Sequence, residues 1–275
     1  MKYDLSSLKL LIEDFRTLLN QEREYKKTHS DYGSSGPHYF QYDGTPQDYI
    51  KKNNEAISPV NRIRLQRHRN SLADNAKAAV QQYIAKADSQ LNKLNTKRPQ
   101  NLSFQQRKAL SKNKKEWNDY KSNINNQISS IRSGAAEVFS PGRASPIGNT
   151  VALNMNQIKN DWHLNATKAH EGEHINQFNT ARQIYGKKSG AQRFMTGYAT
   201  PELQKAAVEG DMVGYHTAPA EYYANQAIWN PVDKTTREQI VRQAVEGDKY
   251  TGPKINISRE QSKKQLDRFM GDYNK

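Results

Sequence analysis

Two runs of apolar residues at helical spacing set the first constraint on how this 275-residue chain can fold. Leu72, Ala76, Ala79, Tyr83, Ala87, Leu91 and Leu94 step by three or four. After Arg98-Pro99 a second run follows through Leu110, Trp117, Tyr120, Ile124, Ile128 and Ile131. Each run puts one apolar stripe on a helix, and a stripe needs a partner to cover it. The spacing therefore predicts an antiparallel helical hairpin with a polar turn near 98–99. A further amphipathic helix is expected from about Asp4 to Glu24, through Leu5, Leu8, Ile12, Phe15 and Leu19. Residues 28–49, with the turn dipeptides Gly36-Pro37 and Asp43-Gly44, read as a loop.

The hairpin is strongly basic: residues 51–132 carry 18 Lys and Arg against 5 Asp and Glu. Solvated outer faces explain such charge, and so does a surface for nucleic acid, which would bind with steep salt dependence. Its few aromatics fit the apolar stripes, which argues against stacking on single strands. After Ser133-Gly134 the charges nearly balance and the pattern changes. Short β-prone runs at Glu137-Val138-Phe139 and Asn149-Thr150-Val151-Ala152-Leu153 flank a turn containing Pro141-Gly142 and Pro146. Helices are expected near Asn165, near Glu202, and at 218–229, 235–246 and 258–270. The expected organisation is a basic helical region over 1–133, followed by a domain over 134–275. The fold class is α+β, mainly helical, with a small sheet in the second part.

Composition removes several functions. No stretch approaches the roughly 18 apolar residues of a membrane span. The first residues lack the apolar core of a cleaved signal peptide. The chain is thus expected in the cytoplasm on synthesis, with export by a route that needs no such signal left open. Cysteine is absent, so disulfides and thiolate ligands are excluded, and any metal must be held by His, Asp or Glu.

The segment Ala169-His170-Glu171-Gly172-Glu173-His174 contains H-E-x-x-H. On a helix His170 and His174 share one face a turn apart, so both imidazoles can converge on one cation. Glu171 is rotated beside that cation, where it can take a proton from a water that the metal activates. Asn165 and Thr167 are candidate N-caps, and Ala166, Ala169, Ile175 and Phe178 give the helix an apolar face. Gly172 costs about 1 kcal/mol relative to Ala in a helix, so its presence asks for a close packing contact. A catalytic zinc usually has three protein ligands. The residues alone leave His163, Glu209, Asp211, His216 and Glu221 as candidates for the third.

With this motif and the downstream Pro219-Ala220-Glu221-Tyr222-Tyr223-Ala224-Asn225, the sequence resembles the zincin metallopeptidases, and among them the gluzincin branch. The resemblance covers about residues 137–229. It implies one zinc ion per chain held by His170, His174 and Glu221, with Glu171 as general base and Asn225 hydrogen-bonding a ligand His. Asn stands where family members often have Asp. The resemblance also implies a transition-state donor, with His216 and Tyr215 as the candidates. It further implies an edge strand before the active helix, at Thr150, Val151 and Ala152, that pairs with a peptide or protein substrate. Cysteine-free basic chains of this kind resemble toxins or effectors carried by bacterial injection machines or phage particles. Hydrolysis of a non-peptide bond stays open on ligands alone. So does a nucleic-acid-binding protein with a structural or vestigial metal site.

Overall fold

The computed structural model describes residues 5–28, 36–95, 103–135, 138, 140–187 and 189–273. The chain is mainly helical α+β with one three-stranded sheet. It divides into two compact units, one made of residues up to Asn61 together with Ser140–Lys275, the other of Arg62–Phe139. The cut expected at 133/134 is therefore not the structural one. The reason is a strand in the segment read as a loop: His38–Tyr42 (β1) lies between the two turn dipeptides and joins the sheet of the second half. Among the described residues no helix is long and apolar enough to cross a membrane.

The Arg62–Phe139 unit is an antiparallel pair of long helices, α3 (Pro59–Asn95) and α4 (Phe104–Ser133). Gln66 donates to the Arg132 carbonyl at 3.1 Å, and Arg132 pairs with Asp74. Further along, Asp88 receives Lys121 at 2.6 Å and Trp117 at 3.4 Å. A capping box between Ser103 and Gln106 starts α4. The helix ends at Gly134, whose φ of 86° is left-handed, and a side chain there would collide with the Arg69 guanidinium. Buried Arg69 lies between Leu65 and Ala73, so the covered face of α3 runs through these three. Leu72 and Tyr120, expected in the apolar stripes, are exposed. The side chains of Ala79, Tyr83, Ala87, Leu91 and Leu94 lie outside the described residues, as do Arg98-Pro99, Glu137 and Phe139.

In the other unit α1 (Leu5–Thr28) precedes β1, and α2 (Pro46–Ala56) follows it. The remaining strands are β2 (Gly142–Ser145) and β3 (Thr150–Asn154), in the order β1-β3-β2. β1 runs parallel to β3 and β2 runs antiparallel to it. All five residues of the central strand are buried. The long α5 (Asp161–Tyr185) packs on this sheet. It begins a turn earlier than expected. Asn160 caps it by accepting from the His163 N–H, so Asn165 and Thr167 fall inside the helix. Two glycines let further helices close on the core. Gly190 in α6 (Gly190–Tyr198) lies against the Ala181 carbonyl, and Gly197 lies against the Ala244 carbonyl of α10 (Lys234–Glu246). Val151, Leu153, Ile175, Phe178, Phe194, Ile240 and Val241 form the core between these elements. The short helices α7 (Pro201–Glu209), α8 (Met212–Tyr215) and α9 (Pro219–Gln226) follow α6, and α11 (Arg259–Tyr273) closes the unit.

α5 is also clamped to α10 by a two-point ion pair, in which Arg237 Nε and Nη2 meet the two Glu173 oxygens at 2.7 and 2.8 Å. Glu173 is 3% exposed. Removing one member of such a pair leaves a buried charge without its partner, so Glu173→Gln is expected to lower stability by about 3 kcal/mol in urea unfolding.

Candidate metal centre

His170 and His174 project from one face of α5, and Glu221 enters from the first turn of α9. Pro219 suits that first turn because it lacks the N–H a helix start leaves unbonded. Ala220 and Ala224 are buried and small enough to bring α9 close to α5. Gln177 of α5 donates to the Ala220 carbonyl at 3.1 Å, fastening the two helices beside Glu221.

The three side chains meet. His170 Nε2 and His174 Nε2 are 3.2 Å apart, and Glu221 Oε2 lies 3.6 Å from the first and 3.5 Å from the second. Donors set 2.0–2.1 Å from a tetrahedral cation are separated by about 3.3 Å, so this triangle matches such an ion to within a few tenths of an ångström. His174 and Glu221 are buried and His170 is nearly so. The group can hold a metal ion.

The outer nitrogens of both rings are tied down, leaving Nε2 to face the centre. Gln177 must present its carbonyl oxygen to His174 Nδ1, at 3.0 Å, because its amide nitrogen donates to Ala220. Asn225 works the same way between two imidazoles. Its oxygen lies 2.9 Å from His170 Nδ1 and its nitrogen 3.0 Å from His216 Nδ1. With Nδ1 carrying the proton, each ligand ring offers a lone pair at Nε2 once it is neutral.

Glu171 stands beside the triangle. Its Oε2 accepts the Ala144 N–H at 2.7 Å, from the edge strand β2. A side chain at Gly142 would press on Thr167 and on the Glu171 methylene, so only glycine lets the strand approach this closely. Gly172 has its packing reason too, because a Cβ there would lie 2.7 Å from the Tyr39 hydroxyl of β1.

Charge in the cluster is shared unequally. Burial lowers His170, and its neighbour His174 adds to this, bringing it to about 4. Burial also opposes charge on His174, yet the Glu221 carboxylate overrides it and holds the imidazolium up to about 9. Burial would raise Glu221, but His174 and His170 pull it down to about 2. The opposed shifts of His174 and Glu221 have one cause, the attraction between that imidazole and the carboxylate 3.5 Å away. Burial raises Glu171, and Glu221 contributes in the same direction.

The other expected residues sort clearly. His216 is buried, lowered to about 4 by burial and by His170, and its ring centre is 6.5 Å from that of His170. Burial and the facing Glu221 carboxylate raise the Tyr215 hydroxyl well above the usual range. Three rivals for the third ligand are engaged elsewhere. Asp211 caps α8 and pairs with Arg259, Glu209 pairs with Lys205, and His163 meets Tyr273 edge to face. Thr150, Val151 and Ala152 cannot serve as a substrate-pairing edge, because β3 is the central strand with a neighbour on each side. The edge near Glu171 is β2, in the segment expected to be a turn.

Sequence reasoning missed Gln177, although a polar residue between Ile175 and Phe178, three after His174, was a usable signal. It also missed Tyr198, which nothing in the pattern announces. The Tyr198 ring lies over His174 at 6.5 Å, and burial with the Glu221 and Glu171 carboxylates raises its hydroxyl.

Titration with Zn2+ or Co2+ is expected to show one tight equivalent per chain, lost in His174→Ala and in Glu221→Ala. A cation competes with a proton for His174 Nε2. Binding should therefore tighten as pH rises towards about 9 and release close to one proton per ion at neutral pH. Calorimetry in buffers of different ionisation enthalpy measures that release.

No family model, curated protein or solved structure matches this chain.

Proposed function

We propose that the chain is a zinc-dependent peptidase acting through Glu171. The observation that carries this reading is the donor triangle of His170, His174 and Glu221, with a buried carboxylate set beside it. Two imidazoles and one carboxylate suit zinc, and three protein donors leave a coordination position open. When bound, the ion supplies Lewis acidity at the centre of the cluster.

The protein's own groups do the rest. Glu171, its pKa raised by burial, takes the proton of the attacking water and returns it to the leaving amine nitrogen. The Ala144 N–H fixes the carboxylate, so one oxygen is held while the other is left for the proton. Tyr198, Tyr215 and His216 surround the cluster and supply donors for the oxygen that gains charge in the transition state. An extended substrate adds to the outer edge of β2. In an antiparallel ladder the bonded pairs alternate, and the Asn154 N–H bonds the Pro141 carbonyl, so the Ala144 carbonyl points away from β3. It is placed to accept a substrate N–H.

Glu171→Gln keeps the shape and removes the base. It should lower kcat/KM on a cleavable peptide by about a thousandfold while one zinc per chain is retained. Full activity in that variant would remove Glu171 from the mechanism. Gly142→Ala should push β2 off α5 and lower kcat by about tenfold or more, again with zinc content unchanged.

A second reading concerns the helical hairpin. Residues 62–139 carry 16 Lys and Arg against 5 Asp and Glu. Three of those acids already pair within the unit, with Arg132, Lys121 and Lys112. The start of α4 exposes Arg107, Lys108, Lys112 and Lys115 within three turns. This supports binding to a phosphate backbone. Replacing these four by Glu should abolish duplex DNA binding at low salt, measured by fluorescence anisotropy, and leave zinc content intact. Unchanged binding would dismiss the hairpin as the cause.

A further inference from the structure

Beside the metal centre lies a cavity of about 580 Å3, within the size range of ligand pockets. Its walls come from α6, α7, the α8–α9 turn and α10, with Gly197, Leu203, Ala206, Ala218, Ile240 and Ala244 giving it an apolar surface. It does not belong to the donor triangle, but it shares two elements with it. Tyr198 lines the cavity and lies over the His174 ring. Ala220, another lining residue, directly precedes Glu221 and accepts the Gln177 bond.

Most of the polar side chains lining this cavity already have partners within the protein. The Thr200 hydroxyl accepts the Leu203 N–H, and the Thr217 hydroxyl donates to the Gly214 carbonyl. Gln243 uses both ends of its amide on the Ile255 backbone. At the rim Asp211 holds Arg259 at 2.7 Å, and Lys205 faces Glu209. A polar occupant would lose water and gain few partners, whereas an apolar one loses nothing by entering. Gly197 in its wall lets α6 approach α10 closely, because any side chain there would strike the Ala244 carbonyl.

We propose that this cavity receives a large apolar side chain, aromatic or branched, of the polypeptide substrate, at a residue near the bond that is cut. The proposal rests on the peptidase reading and gives it a substrate class. An occupant touching Tyr198 is one ring away from a metal-ligating imidazole, and it also contacts the backbone that aims Glu221.

Two measurements test it. In methyl-labelled wild-type protein, N-acetylphenylalanine amide should shift the Leu203 and Ile240 methyl resonances saturably, while N-acetylasparagine amide should not. This arm needs no variant. With zinc-loaded protein and peptides that differ only by Phe or Ser at one position, wild type should prefer Phe. Filling the cavity with Ala206→Trp should then reduce the Phe/Ser ratio of kcat/KM at least tenfold at unchanged zinc content. Equal shifts with both amides, or none, would overturn the proposal. Hydrolysis with no methyl shift and an unaltered ratio in Ala206→Trp would likewise overturn it and leave the peptidase reading standing. Methyl shifts without hydrolysis of any peptide would overturn the peptidase reading and keep the cavity as a site for apolar ligands.

Discussion

The contact between α5 and α9 governs the chemistry available to this protein. Three donor atoms can sit 3.2–3.6 Å apart only if two helices from separate parts of the chain approach side by side with small residues between them. Ala220 and Ala224 permit the approach, and the Gln177–Ala220 bond holds it. Without a cation the arrangement is maintained by charge. Glu221 is buried with the His174 imidazole 3.5 Å away, and separating the two would leave the carboxylate in a medium that solvates it poorly. A cation entering such a site replaces a proton and needs no new cavity.

The same economy appears one layer out. Asn225 and Gln177 each place a carbonyl oxygen on the outer nitrogen of a ligand ring and send the amide nitrogen elsewhere. A carboxylate at Asn225 would polarise His170 more strongly, but it would add a third negative charge close to Glu171 and Glu221. It could not donate to His216. The amide fits a cluster that already contains two acids.

Much of this could be read from the residues, and the failures have physical causes. His170, His174 and Glu171 follow from helical periodicity, because a one-turn spacing on a continuous helix fixes direction whatever lies around it. Spacing could not single out Glu221 among five candidates, since it carries no distance across a helix pair; only the resemblance named it, and the structure brings it to both imidazoles. The strands were harder. β2 is Gly-Arg-Ala-Ser between two prolines, without the β-branched residues that mark a strand, and its place comes from contact with β3 and α5. β1 is aromatic and alternating, but Gly36-Pro37 and Asp43-Gly44 on either side gave it the look of a loop. That one omission displaced the unit boundary, and with β2 missed, the substrate edge fell on a strand that has no free side.

The parallel pairing of β1 with β3 also bears on how the molecule assembles. Tyr39 meets Val151 only after the whole of α3 and α4 has been made, so the sheet carrying the edge beside Glu171 is closed by one of the most distant pairings in the chain. Closing a long flexible loop costs entropy that grows with the logarithm of its length. The intervening segment is no flexible loop: α3 and α4 run antiparallel, tied by Asp88–Lys121 toward the turn and by Gln66–Arg132 at the open end, and return the chain near the point where it left. A basic insertion thereby acts as a molecular staple, shortening the effective separation across which the first strand must find its partner.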